Sequence, residues 1–110
     1  MRVRFKASVL LADLRPQMAM AHPAVIEAFR DAGCSEVWVT SGYDSKHSHG
    51  SKHYDGGGVD YRTRNVDDDK LHGLADRVRL DLGKNFDVVL EDEGADNEHL
   101  HVEYHPKGNR

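Results

Sequence analysis

The chain has 110 residues, 38% of them hydrophobic and 31% charged, with a formal charge of −4 at pH 7. That length suits one domain spanning residues 1–110 with a modest hydrophobic core, and the composition excludes wholesale disorder. The acidic balance leaves no surplus of Lys and Arg to neutralise phosphates, so no nucleic acid is expected as a partner.

No stretch approaches the roughly 18 apolar residues of a membrane span, and the N-terminus lacks the apolar region of a signal peptide. The expectation is no membrane insertion and no signal peptide. Cys34, the single cysteine, cannot form an internal disulfide and reads as a small buried residue.

Residues 3–11 are apolar-rich and fit either a strand or a helical lead-in. Residues 23–30 read as a helix, with Val25, Ile26 and Phe29 on one face, Pro23 in its first turn and Gly33 as its stop. Residues 36–40 alternate β-branched and aromatic side chains and read as a strand, ended by Ser41 and Gly42. Residues 42–58 are rich in Gly, Ser, His, Asp and Lys: too polar for an element and too histidine-dense for a mere connector. A short strand is expected over 59–62. A helix is expected over 67–82, where Leu71, Leu74, Ala75, Val78 and Leu82 share a stripe before Gly83. Strands over 86–90 and 100–104 flank an acidic loop, and an antiparallel hairpin is their simplest connection. The tail, 106–110, is expected to fray.

Chemistry is sought among the histidines, since seven of the eight fall between His47 and His105. His22, His72 and His105 read as surface residues. His47 and His49 stay open between loop surface, substrate contact and support of a ligand. Three candidate metal donors sit at element edges: His53, Asp60 and the His99–Leu100–His101 pair. Gly56, Gly57 and Gly58 allow the turn that brings residues 53 and 60 together. The period of two puts His99 and His101 on one face of their strand, so that one ligates while the other lines the site. Imidazole plus carboxylate suits zinc, and three protein ligands leave a fourth position open for water. A two-His-one-carboxylate iron oxygenase shares these donors but normally places its His and Asp two apart, not seven. A zinc hydrolase also needs a base. Glu98, three residues before His101, is the first candidate, and Glu91 is the reserve, because in a fully extended strand Glu98 faces away from His101.

The stretch Ser51-Lys52-His53-Tyr54-Asp55-Gly56-Gly57-Gly58-Val59-Asp60 resembles the S-x-H-x-x-G-x-A-x-D motif of the M15 zinc peptidases. These are D-alanyl-D-alanine carboxypeptidases and phage endolysins that share a fold with the hedgehog signalling domain. Glu98-His99-Leu100-His101 resembles the family's second motif, and residues 39–43 and 86–91 resemble the segments that precede each motif, so the similarity runs over about residues 35–105. The resemblance implies His53, Asp60 and His101 as ligands of one Zn2+ per chain, and Glu98 as general base. Gly58 stands in place of the usual alanine. Asp44 stands where many members have an arginine for the substrate carboxylate, and Arg62 and Arg64 are substitutes by proximity. Ser51 is assigned a supporting hydrogen bond or a substrate contact, and His99 and Arg62 substrate contacts.

The expected fold is an α+β domain with a small antiparallel sheet, zinc on one face and helices on the other, of the hedgehog/DD-peptidase type. The implied activity is hydrolysis of peptide bonds in bacterial peptidoglycan stem peptides, by a D,D-carboxypeptidase or an L,D-endopeptidase. A monomeric phage or prophage lysin fits, held in the cytoplasm until released to the wall, and so does a virion component. The competing expectation is a non-catalytic module that keeps zinc for stability.

Overall fold

The computed structural model describes residues 1–6, 15–41 and 57–106. Its elements, in chain order, are β1 (Arg2–Phe5), α1 (Pro16–Asp31), β2 (Glu36–Ser41), β3 (Gly58–Arg62), α2 (Asp68–Leu82), β4 (Phe86–Glu91) and β5 (His99–Tyr104). They form an α+β fold: one five-stranded sheet in the order β1-β2-β3-β5-β4, with two helices.

The sheet is mixed, which corrects the expectation of a purely antiparallel one. β1 runs parallel to β2, with Arg2 opposite Glu36 and Phe5 opposite Val39. α1 lies between these strands in sequence, and a helical crossover is what returns a chain to the same end of a sheet. The remaining pairings are antiparallel, and β4 and β5 form the expected hairpin.

Helix α1 begins seven residues earlier than the apolar run at 23–30 suggests, so Pro23 lies inside the helix and not in its first turn. Pro16 fills the tolerated first-turn position instead. Met18 and Ala21 extend the buried stripe of Val25, Ala28 and Phe29. An interior proline costs about 3 kcal/mol; burying Met18 alone returns about 1.5–3 kcal/mol, and the added turns contribute further hydrogen bonds. The helix ends as expected: Gly33 takes φ 94°, its N–H bonds the Arg30 carbonyl and that of Cys34 bonds Phe29. Helix α2 carries Asp68 and Asp69 in its first turn, where the dipole favours them, and buries Leu71, Leu74, Ala75 and Val78.

Both helices lie against one face of the sheet. That face supplies Val37 and Val39 from β2, Val59 and Tyr61 from β3, Val88 from β4, and Leu100 and Val102 from β5 to the core. Cys34 is buried beside it; burial pushes its thiol pKa up, and Sγ lies 3.7 Å from the Asn65 carbonyl oxygen. Side chains alternate along each strand, so the intervening residues of β3, β4 and β5 project from the opposite face. No helix among the described residues is long and apolar enough to cross a membrane.

Candidate metal centre

Three adjacent strands build the centre by register. On β3, Val59 and Tyr61 enter the core and Asp60 points the other way. On β5, Leu100 and Val102 enter the core while His99, His101 and Glu103 alternate outward. Asp60 stands opposite His101, Arg62 opposite His99, Glu91 opposite His99 and Asp87 opposite Glu103. On the other flank of β3, the register slips between Val39 and Ser41, so that Ser41 pairs with Asp60. Such a bulge re-aims side chains beside a site.

His101 is the hub. Its Nδ1 lies 2.8 Å from Asp60 Oδ1 and 4.0 Å from Glu91 Oε1, and its Nε2 lies 2.8 Å from Glu103 Oε1. His99 Nδ1 donates to the Asn97 carbonyl at 2.7 Å, while Nε2 lies 2.9 Å from Glu91 Oε1 and 3.7 Å from Asp60 Oδ2. Asp60 itself is only 7% exposed.

Burial by itself lowers the pKa of His101, but its hydrogen bonds to Asp60 and Glu103 overcome that and raise it to about 9. His99 is also raised: burial opposes the shift, and the Asn97 carbonyl with the Asp60 and Glu91 carboxylates outweighs it. Carboxylates face both nitrogens of His101, an arrangement that favours positive charge there.

The donor set fits a divalent cation. Oxygen atoms of Asp60 and Glu91 and a nitrogen of His101 lie within 4.8 Å of one another. Tetrahedral zinc ligands at about 2.1 Å are about 3.4 Å apart, so modest side-chain adjustment closes the set. Asp60 and Glu91 face Nδ1 of His101, and Glu103 is left on Nε2 as the orienting partner that ligating histidines usually have. A second set of the same kind, Asp87, Glu103 and His105, lies further along the hairpin.

Asp60 and His101 are therefore brought together, with His99 beside them. His53 and Ser51 lie outside the described residues, as do His47, His49 and Asp44. Arg62 stands next to the centre, across from His99. Glu98, 7% exposed, is engaged elsewhere: Oε1 accepts from the Thr63 hydroxyl at 2.6 Å and Oε2 from the Gly94 N–H at 2.8 Å. Glu91 is the glutamate that joins the cluster. Sequence reasoning missed Glu103 and Asp87, although the two-residue alternation from His99 and the hairpin pairing contain the signal for both. It also took His22 for a surface residue. His22 is half-buried, stacked on Tyr61, with Nδ1 2.7 Å from the Tyr61 hydroxyl.

Comparison with protein-family models, with curated proteins and with solved structures gave no match.

Proposed function

We propose that the chain is a zinc-dependent peptidase that hydrolyses peptide bonds of peptidoglycan stem peptides, of the M15 type that the two motifs resemble. Asp60 and His101 are two of its metal ligands and His53 is the third. The observation that carries this reading is the Asp60–His101 pair, joined across adjacent strands with Glu91 and His99 beside it. Zinc bound there supplies Lewis-acid polarisation of a carbonyl and activation of water.

The chain's own groups have separable tasks. Glu103 holds Nε2 of His101 and so directs Nδ1 towards Asp60 and Glu91. Glu91, partly exposed and within reach of both histidines, accepts the proton from attacking water and passes it to the leaving amine. His99, fixed by the Asn97 carbonyl, steers the Glu91 carboxylate through Nε2. Glu98 is the base by motif resemblance, but its bonds to Thr63 and Gly94 support a structural task in the hairpin loop.

One observation favours a non-catalytic zinc module instead. Glu91 completes a three-donor set with Asp60 and His101, and the addition of His53 as a fourth protein ligand would close the centre to water. Glu91→Gln separates the two readings. As a base, Glu91 is dispensable for zinc, and the variant keeps one zinc per chain while losing hydrolysis. As a fourth ligand, it is needed for tight binding, and the variant loses zinc.

A further inference from the structure

The outward alternation of β5 runs on past the metal centre, from His99 and His101 to Glu103 and then His105. His105 follows the last residue of β5, and its backbone N–H still bonds the Asn85 carbonyl at 2.7 Å, so the hairpin holds it in place. Asp87 stands opposite Glu103 on β4, and its Oδ2 lies 2.7 Å from His105 Nδ1. One donor atom from each of Asp87, Glu103 and His105 comes within 4.8 Å of the other two. On the β3 side Glu103 faces Gly58, which has no side chain to add. Among the described residues, only this set and that of Asp60, Glu91 and His101 bring three such donors together. His72 and Glu93, 2.9 Å apart, have no third donor within the same reach.

We propose that Asp87, Glu103 and His105 form a second site for a divalent transition-metal ion, with zinc the best fit, linked to the first centre through Glu103. A nitrogen donor beside two carboxylates suits zinc and its neighbours in the transition series, whereas magnesium and calcium take oxygen. The two carboxylates balance the charge of the ion, and three protein ligands leave the remaining positions to water. This site is the weaker of the two. The side chains of Asp87 and His105 are 38% and 48% exposed, against 10% and 14% for Asp60 and His101, so water competes harder for them. One equivalent of zinc fills the first centre, and an excess fills the second. Glu103 Oε1 lies 2.8 Å from Nε2 of His101, whose Nδ1 faces Asp60 and Glu91 across the ring. Glu103 lies about 7 Å along β5 from His101, so no water bridges the two ions as one does in two-metal hydrolases, where they stand about 3.5–4 Å apart. The link is the carboxylate. A cation on Glu103 draws negative charge away from Nε2–H and weakens the bond that orients His101; partners of that kind carry about 10–100-fold in metal affinity. Filling the second site loosens the first, and by linkage the first loosens the second.

The test titrates the untagged full chain with zinc alone and follows the histidine ring nitrogens by NMR. His101 Nδ1 should move with the first equivalent and the His105 ring with the second, and the His101 Nε2–H proton should move again in that second step. Equilibrium dialysis should give two zinc ions per native chain. Asp87→Asn and His105→Phe should each hold one fewer and keep the first step unchanged, while Asp60→Asn does the reverse. Circular dichroism confirms that the variants fold. A His105 ring that stays unmoved in excess zinc overturns the site, as does a second zinc that both Asp87→Asn and His105→Phe retain. A second step that leaves the His101 Nε2–H proton in place overturns the link through Glu103. Magnesium should give no second step, and one equal to that of zinc overturns the assignment to a transition metal. Cleavage of stem peptides, present or absent, changes none of these outcomes, so the second site and the peptidase reading stand or fall separately.

Discussion

Asp60 and His101 stand directly opposite each other in the β3–β5 register, with Oδ1 and Nδ1 2.8 Å apart. Forty-one positions separate them in sequence, so only the sheet brings them together, and a metal that uses both ties β3 to β5. Asp60→Asn and His101→Ala should each weaken zinc binding by at least about a hundredfold, and Glu103→Gln, which removes only the orienting bond, by about 10–100-fold. Competition with a chromophoric chelator measures all three. Equal affinity of native chain and His101→Ala would remove the centre.

The two glutamates part company in stability. Glu98→Ala orphans the buried Thr63 hydroxyl, at a cost of about 1–3 kcal/mol, and leaves the Gly94 N–H of an exposed loop to water at smaller cost, whereas Glu91→Ala removes an exposed group and should shift Tm little. Calorimetry of both variants checks this. A Glu98→Ala protein as stable as the native chain would contradict its structural task and return Glu98 to the role of base that the motif implies.

How much of this was legible in sequence follows from what each signal depends on. The α2 stripe and the β4–β5 hairpin are local patterns and are legible directly. The start of α1 is hidden because Pro23 is a strong local breaker, and its tolerance depends on Met18 and Ala21 finding the core. The parallel pairing of β1 with β2 is non-local, and nothing in residues 2–5 announces it. Asp60 and His101 were legible as donors, but the choice between Glu91 and Glu98 turns on strand parity and on the partners of Glu98, which spacing alone does not contain.

His22 supplies a pH dependence. Burial against Tyr61 lowers its pKa below the usual 6.5, so between the two values the unfolded chain binds a proton that the folded chain refuses. This contribution to stability is therefore fully present above about pH 6.5 and is lost as pH falls through the folded value. Tyr61, raised by burial and by Asp60, stays protonated throughout. Tm of the native chain should fall more steeply than that of His22→Phe on acidification from about pH 7.5 to 5. Parallel curves would contradict it.

Gly73 lies on the exposed side of α2, and a Cβ added there meets nothing within 4 Å. Gly73→Ala should raise stability by about 0.5–1 kcal/mol through the entropy of the unfolded chain, or Tm by about 4 °C. Thermal melts test this, and an unchanged or lower Tm would count against it.

The most direct test of the peptidase account is mass spectrometry of purified stem peptides and muropeptides incubated with the zinc-loaded protein, beside a chelated control and the Asp60→Asn variant. The account predicts a product mass that marks one cleaved peptide bond, formed only by the zinc-loaded native chain. Intact peptides after incubation with a folded, zinc-bound protein would contradict it.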